Sequence, residues 1–283
     1  MRRLTNINEI QSYVSDKQND GCSIGFVPTM GALHRGHLSL VSESCAKNTI
    51  TIVSIFVNPT QFNNPTDLEK YPRTIEADIE LLSQTDCDAI FIPEVDTIYS
   101  GDFKAEEVDL GFLGETMEGF YRPGHFEGVV NVVQRLFSII KPDCAYFGRK
   151  DFQQVAVIRK MVKSLDLKVK IFEVPTMRES SGLAMSSRNT LLSQNEKEEA
   201  RVIFKLLSTM IDDAESFGPI EVKKKAIESF KESVLRVEYL EIVHPRTFEC
   251  LEKTWVEGAT VCLVAYCGNV RLIDNMEIIP FSN

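Results

Sequence analysis

Nowhere in this chain do apolar residues run unbroken for the ~18 positions that a membrane span needs. The opening MRRLTNINEI carries no apolar signal-peptide core, so a cytoplasmic protein is the expectation. The phosphate-cradling pattern Gly-x-x-x-x-Gly-Lys is missing, as are Gly-x-Gly-x-x-Gly and the Gly-x-Ser-x-Gly of a hydrolase elbow. Any nucleotide must then be held by other means. There is no Cys-x-x-Cys: the seven cysteines are odd in number and scattered from Cys22 to Cys267, which suits buried thiols better than a disulfide framework or a zinc site. Basic charge is in deficit, 31 Lys and Arg against 41 Asp and Glu. The net charge of -10 repels nucleic-acid backbones and leaves small anions to locally positive pockets.

What remains is an ordinary globular composition, 43% hydrophobic and 25% charged over 283 residues, a length that suits two domains. Apolar, β-branched runs occupy 22–28, 49–57, 88–93, 144–148 and 168–175. Between them, 126–140 and 151–165 repeat apolar residues at helical spacing. This alternation predicts an α/β fold over 1–175, a parallel sheet with helices on both faces. Beyond 175 come charged helical stretches at 194–213 and 219–234, then the alternating runs RVEYLEIVH and TVCLVAYC. They predict a smaller α+β domain over 176–283 that ends in an antiparallel hairpin or meander. Ser193 followed by Glu196 has the spacing of a capping box.

Four stretches carry candidate chemistry. In FVPTMGALHRGHLSLV, residues 26–41, a strand runs into a loop and a helix that starts near His34. His34 and His37 project to one side of its first turn, where free N–H groups suit phosphate. Gly31 permits close backbone approach, and Gly36 keeps the helix surface flat enough for a planar base. A local histidine cap with Gly36 incidental explains the same residues. Two histidines are too few for a metal site, and His125 and His244 lie at no metal-ligand spacing beside them. FGRKDFQQ, residues 147–154, repeats the strand end, glycine and helix start. Lys150 is a mobile charge for phosphate and Asp151 suits a first turn, with Gln154 on its side of the helix; routine capping is the alternative. GLAMSSRN, residues 182–189, offers Ser186 and Ser187 as donors and Arg188 as a bidentate cation, or is simply a turn. FVNPTQF, residues 56–62, places the neutral amides of Asn58 and Gln61 near one sheet edge, or is a turn set by Pro59. YRPGHFEG, with Arg122 and His125, reads as structural.

His34-Arg35-Gly36-His37 after a strand, with Met-Ser-Ser-Arg later, resembles the HIGH and KMSKS-type pair of the nucleotidyltransferase superfamily. Within it, PTMGALHRGHLSLV, SIFVNPTQF, YPRT, RPGHFEGV, FGRKDFQQ and MSSRN, in that order over nearly the whole chain, resemble the pantothenate synthetase (pantoate–β-alanine ligase) family. That resemblance implies a Rossmann-like ATP- and pantoate-binding domain, a smaller C-terminal lid domain and a homodimer. It implies a two-step reaction: pantoate carboxylate attacks the α-phosphorus of ATP, and the β-alanine amine then displaces AMP from the pantoyl adenylate. It also implies site roles. Met30, Gly31, Ala32, Leu33, His34, Arg35, Gly36 and His37 would form one ATP segment, with His37 as proton donor. Gly148, Arg149, Lys150 and Asp151 would form another, and Met185, Ser186, Ser187 and Arg188 a third, with the backbone of Met177 at adenine. Gln61 and Gln154 would bind pantoate, with Asn58 beside them. His34, His37, Lys150, Arg188 and Mg²⁺ would stabilise charge in the adenylation step. Asp78 and Asp151 are the two carboxylates that could hold the metal through water, and their spacing does not decide between them. A mobile loop or lid carrying Ser186 to Arg188 would keep water from the adenylate. Two other readings stay open: a nucleotidyltransferase whose product keeps the nucleotide, and an RNA-binding or tRNA-charging module. The negative charge and the lack of an anticodon-binding extension weigh against the latter.

Overall fold

Six parallel strands, β1 (Arg2–Leu4), β2 (Ile24–Thr29), β3 (Ile50–Ile55), β4 (Ala89–Phe91), β5 (Cys144–Gly148) and β6 (Lys170–Val174), make one sheet in the order β1-β4-β3-β2-β5-β6. They are seen in a computed structural model that describes residues 1–99, 101 and 103–279. The apolar runs form strands buried on both faces because successive side chains point opposite ways. Phe26, Ile52 and Phe91 enter one core, while their neighbours Val27, Val53 and Ile90 enter the other. Helices cover both faces, as the α/β reading expects. β1 was not legible: its Arg2 and Arg3 are exposed, and only the edge pairing of Arg2, Arg3 and Leu4 with Ala89, Ile90 and Phe91 makes a strand of it.

The chain runs from β2 to β3 to β4, then returns to lay β5 on the other side of β2 and β6 beyond it. Strand order therefore reverses between β2 and β5. In open α/β sheets ligands bind at such a switch point, beyond the carboxyl ends of the strands. Gly25 fixes how closely the helix Arg35–Lys47 sits on β2, since a Cβ there would come within 2.2 Å of Ser44 Oγ.

Chain contacts divide the molecule into two units: Met1–Gly114, Glu118–Arg149 and Gln153–Pro175 form the first. The second begins at Thr176 and also takes in Glu115–Met117 and Lys150–Phe152. It holds the antiparallel strands β7 (Arg236–Val243), β8 (Thr260–Cys267) and β9 (Val270–Glu277), in that order, with its own core around Leu207, Val222 and Val261. The 194–213 stretch is two helices, Gln194–Glu199 and Arg201–Ala214, rather than one. Only the second has an apolar stripe to bury, and the chain turns at the fully buried Ala200 between them. Ser193 and Glu196 close the capping box that their spacing predicts, with the Ser193 N–H donating to Glu196 Oε2 at 2.8 Å. Among the described residues no helix is long and apolar enough to cross a membrane.

Candidate active site

The turn after β2 is shaped by left-handed backbone at Gly31, φ +81, and Ala32, φ +48. For alanine that conformation costs about 1–2 kcal/mol. A carboxylate from the helix Ile75–Ser83 offsets it. Asp78, 2% exposed, accepts from the Ala32 N–H at 2.9 Å through Oδ2 and from the Leu33 N–H at 2.8 Å through Oδ1. The Thr74 hydroxyl donates to Oδ1 at 3.1 Å. Gly31 is required for space as well as φ, because a Cβ there would stand 3.0 Å from Asp78 Oδ2 and from Ile55 Cγ2.

This turn delivers His34 as N-cap of the helix Arg35–Lys47. His34 Nδ1 accepts from the Gly36 N–H at 3.2 Å, and His37 Nδ1 accepts from the His34 N–H at 3.2 Å. The ring centroids are 4.0 Å apart. A capping box built from imidazoles fixes their tautomers: with Nδ1 accepting, the ring proton sits on Nε2. Two Nε2–H donors thus stand at the positive end of a helix, where anions are favoured. The local cap thus leaves the first turn in a geometry that suits an anion. Arg35, the first residue of this helix, is exposed.

At the end of β3, Asn58 and Gln61 are buried together. Asn58 Nδ2 donates to Gln61 Oε1 at 3.2 Å and to the Gly128 carbonyl at 3.1 Å, while its Oδ1 accepts from the hydroxyls of Tyr99 and Thr60. Gln61 Nε2 reaches Met30 Sδ at 2.9 Å, tying this segment to the histidine turn. His125 Nδ1–H donates to the Gln61 carbonyl at 2.8 Å, and Arg122 donates to His125 Nε2 at 3.1 Å and to the Glu118 carboxylate at 3.2 Å. The stretch read as structural is therefore the support under Gln61. Of the paired glutamines, Gln153 is buried, its Oε1 accepting from the Glu118 N–H and its Nε2 donating to the Leu113 carbonyl. Gln154 is half-buried.

β5 ends at Gly148, where an added Cβ would meet no described atom within 4 Å. The fold does not demand glycine there, but a ligand approaching the backbone would. Arg149 turns to β6, its Nε 3.6 Å from Glu173.

The second unit gathers the remaining candidates. Lys150 Nζ lies 3.2 Å from Asp151 Oδ1, and the Lys150 carbonyl accepts from Asn275 Nδ2 at 2.8 Å. Met177 to Met185 form a hairpin in which the Met185 N–H donates to the Met177 carbonyl at 2.9 Å. Arg178 pins it with a bidentate grip on Asp274, at 2.6 and 3.0 Å. Burial pushes the Asp274 carboxyl up, against the pull of Arg178. Ser186 caps the turn Ser187–Leu191, accepting from the Arg188 N–H at 3.3 Å; Ser187 is buried and Arg188 half-buried. Among the described residues no three His, Cys, Asp or Glu are grouped to hold a metal. Asp274 and Asn275 carry no signal in the sequence, because they matter through partners far away in the chain, and Asp78 stands out there only as a carboxylate for Mg²⁺, not as the holder of this turn.

The family model for pantoate-beta-alanine ligase matches residues 2–277. The pantothenate synthetase of Azobacteroides pseudotrichonymphae is 47% identical over 280 residues, 98% of this chain and 99% of its own. Pantothenate synthetase from Thermus thermophilus, a crystal structure, aligns with a TM-score of 0.93 at 40% identity, covering 99% of this chain and 100% of that one. Pantoate-beta-alanine ligase from Francisella tularensis, complexed with beta-gamma ATP and beta-alanine, aligns with a TM-score of 0.81 at 38% identity, over 98% of each chain. Matched along almost its full length in sequence and in fold, this chain belongs to the pantoate-beta-alanine ligase family.

Proposed function

We propose that the residues assembled above carry a two-step condensation on one ATP. The chain is an AMP-forming ligase that joins pantoate to β-alanine, giving pantothenate, AMP and diphosphate. The observation that carries the assignment of residues is the Asp78-held turn, which seats His34 and His37 at a helix N-terminus beyond the carboxyl end of β2.

In the first step a pantoate carboxylate oxygen attacks the α-phosphorus and diphosphate leaves. Negative charge builds on the bridging oxygen, so catalysis is electrostatic stabilisation and positioning. The Nε2–H groups of His34 and His37 donate to phosphate oxygens, and His37 is the proton donor. Lys150 and Arg188 supply cationic charge, the latter as a fork. Met30 to His37, Gly148 to Asp151 and Met185 to Arg188 are the ATP-binding segments, and the Met177 backbone meets adenine. Gln61 and Gln154 bind pantoate. The Gln61 amide now rests on a thioether, a weak acceptor that pantoate oxygens readily displace. Asn58, with its amide fully engaged, stands behind Gln61 and holds it. In the second step the β-alanine amine attacks the acyl carbon and AMP departs, which needs proximity and a dry site. A loop or lid carrying Ser186 to Arg188 supplies the seal.

Mg²⁺ would arrive with ATP. Both oxygens of Asp78 are taken by backbone N–H groups, which leaves Asp151, its side chain 43% exposed beside Lys150, as the carboxylate that fits a hydrated ion on the phosphates. That ion would neutralise phosphate charge. The working form is a cytoplasmic homodimer, so light scattering should give twice the chain's 32.0 kDa.

The test is an assay of AMP and diphosphate from ATP, Mg²⁺ and D-pantoate, with and without β-alanine, on the native chain and on His37→Ala. AMP that appears only with β-alanine, and is lost in His37→Ala, is the expected result. Diphosphate formed without pantoate, or a product that keeps the nucleotide, would overturn the assignment.

A further inference from the structure

Two adjacent polar residues in the middle of β9, Asp274 and Asn275, are 3% and 5% exposed in a strand whose other buried residues are apolar. Burying a carboxylate and an amide there costs free energy that apolar residues would not, so the pair is dear to the fold as a mere strand. Its partners explain the choice. Asn275 Nδ2 donates to the Lys150 carbonyl at 2.8 Å. The Asp274 carboxylate takes both arms of Arg178, and the Asn275 carbonyl accepts from the same guanidinium at 3.3 Å. Arg178 also donates to the Gly182 carbonyl at 3.1 Å and lies over the Phe204 ring, 5.1 Å from its centroid. The guanidinium is thereby fixed inside the hairpin that leads into Met185 to Arg188. The turn Ser187–Leu191 itself lies against β9.

We infer that Asp274 and Asn275 are positioning residues for adenylation: through the Lys150 backbone and the Arg178 hairpin, one dipeptide sets the places of two cation-bearing segments that the sequence keeps apart. This rests on the roles proposed above for Lys150 and Arg188. Neither Asp274 nor Asn275 touches substrate. Each acts by denying a segment the displacement of about 1 Å that costs ~10²-fold in rate at a catalytic group.

Asn275→Leu is nearly isosteric but cannot donate to the Lys150 carbonyl, and Asn275→Ala removes the side chain. Both are to be compared with the native chain and with Lys150→Ala in single-turnover release of diphosphate from ATP and D-pantoate. Active-site titration corrects each for its folded fraction. Expected is a fall of about 10- to 10²-fold in the adenylation rate for both Asn275 variants, with the KM for β-alanine unchanged. Arg178→Lys, which keeps the charge and loses the fork, should raise the KM for ATP by about tenfold with the same β-alanine KM. If Lys150→Ala adenylates normally, the ATP-site reading fails. If Lys150→Ala is inactive while both Asn275 variants, corrected for folded fraction, stay within about twofold of native, positioning through β9 is overturned and the ATP-site reading stands.

Discussion

At Asp78 one side chain satisfies two consecutive backbone N–H groups and so holds Ala32 in a conformation that alanine avoids. An amide in its place has only one acceptor oxygen, and its NH₂ would face a backbone N–H. Asp78→Asn is expected to lose about 1–3 kcal/mol of stability, read from thermal melts. Because the turn aims both histidines, diphosphate release should fall by about 10²-fold as well. Nothing around Asp78 in the sequence announces this, since an aspartate in a first helical turn is among the commonest of placements. Cys250 makes the opposite point. It is exposed, yet burial of the sulfur and the neighbouring Glu241 carboxylate push its thiol up to about 11. Only the thiolate is alkylated, so near pH 8 Cys250 should react with iodoacetamide about 10²-fold more slowly than an ordinary thiol of pKa ~8.5, and speed up as pH rises toward 11. Peptide mass spectrometry against pH measures this directly.

Among the elements, those buried on both faces were the legible ones. β3 and β5 read as unbroken apolar runs, and the helix His125–Ile140 as a clean periodic stretch, because burial alone dictates their residues. The turns at their carboxyl ends could be placed for the same reason, which is why His34, Gln61 and Lys150 stood out as candidates. β1 and β9 were not legible. The first is an edge strand with charged residues, and the second breaks its alternation at Asp274 and Asn275, whose purpose lies in Lys150 and Arg178. The seating of the histidine helix was legible only as a glycine in a strand. Gly25→Ala would force a Cβ to 2.2 Å from Ser44 Oγ and 2.5 Å from Asn48 Nδ2, so either these side chains give up their bonds to Thr51 and Tyr146 or the helix Arg35–Lys47 lifts from β2. We expect a loss of about 1–3 kcal/mol in denaturant titrations, from overpacking. The KM for ATP should rise with it, since the same helix carries His34 and His37.

For the whole molecule, the net charge of -10 weighs against polyanionic partners. The chain should show no tRNA retention in filter binding at 50 to 200 mM salt, roughly the range in which phosphate-contacting proteins lose ~10³–10⁵ in affinity. Retention that weakens with salt would revive the RNA-binding reading. The assignment of Lys150–Phe152 to the second unit was not legible in the sequence, because it follows from the grip of Asn275 and the contact of Phe152 with Phe248. The order of the parallel sheet has a further consequence, in time. β2 pairs with β3 nearby in the chain, but its other neighbour is β5, with Gly25 opposite Cys144. Pairings this distant in sequence form late and slowly, because a long loop must close before any contact repays it. On a ribosome the switch point between β2 and β5 has only one wall until Gly148 has emerged, so a nascent chain holds a finished histidine turn well before it has a crevice in which to use it.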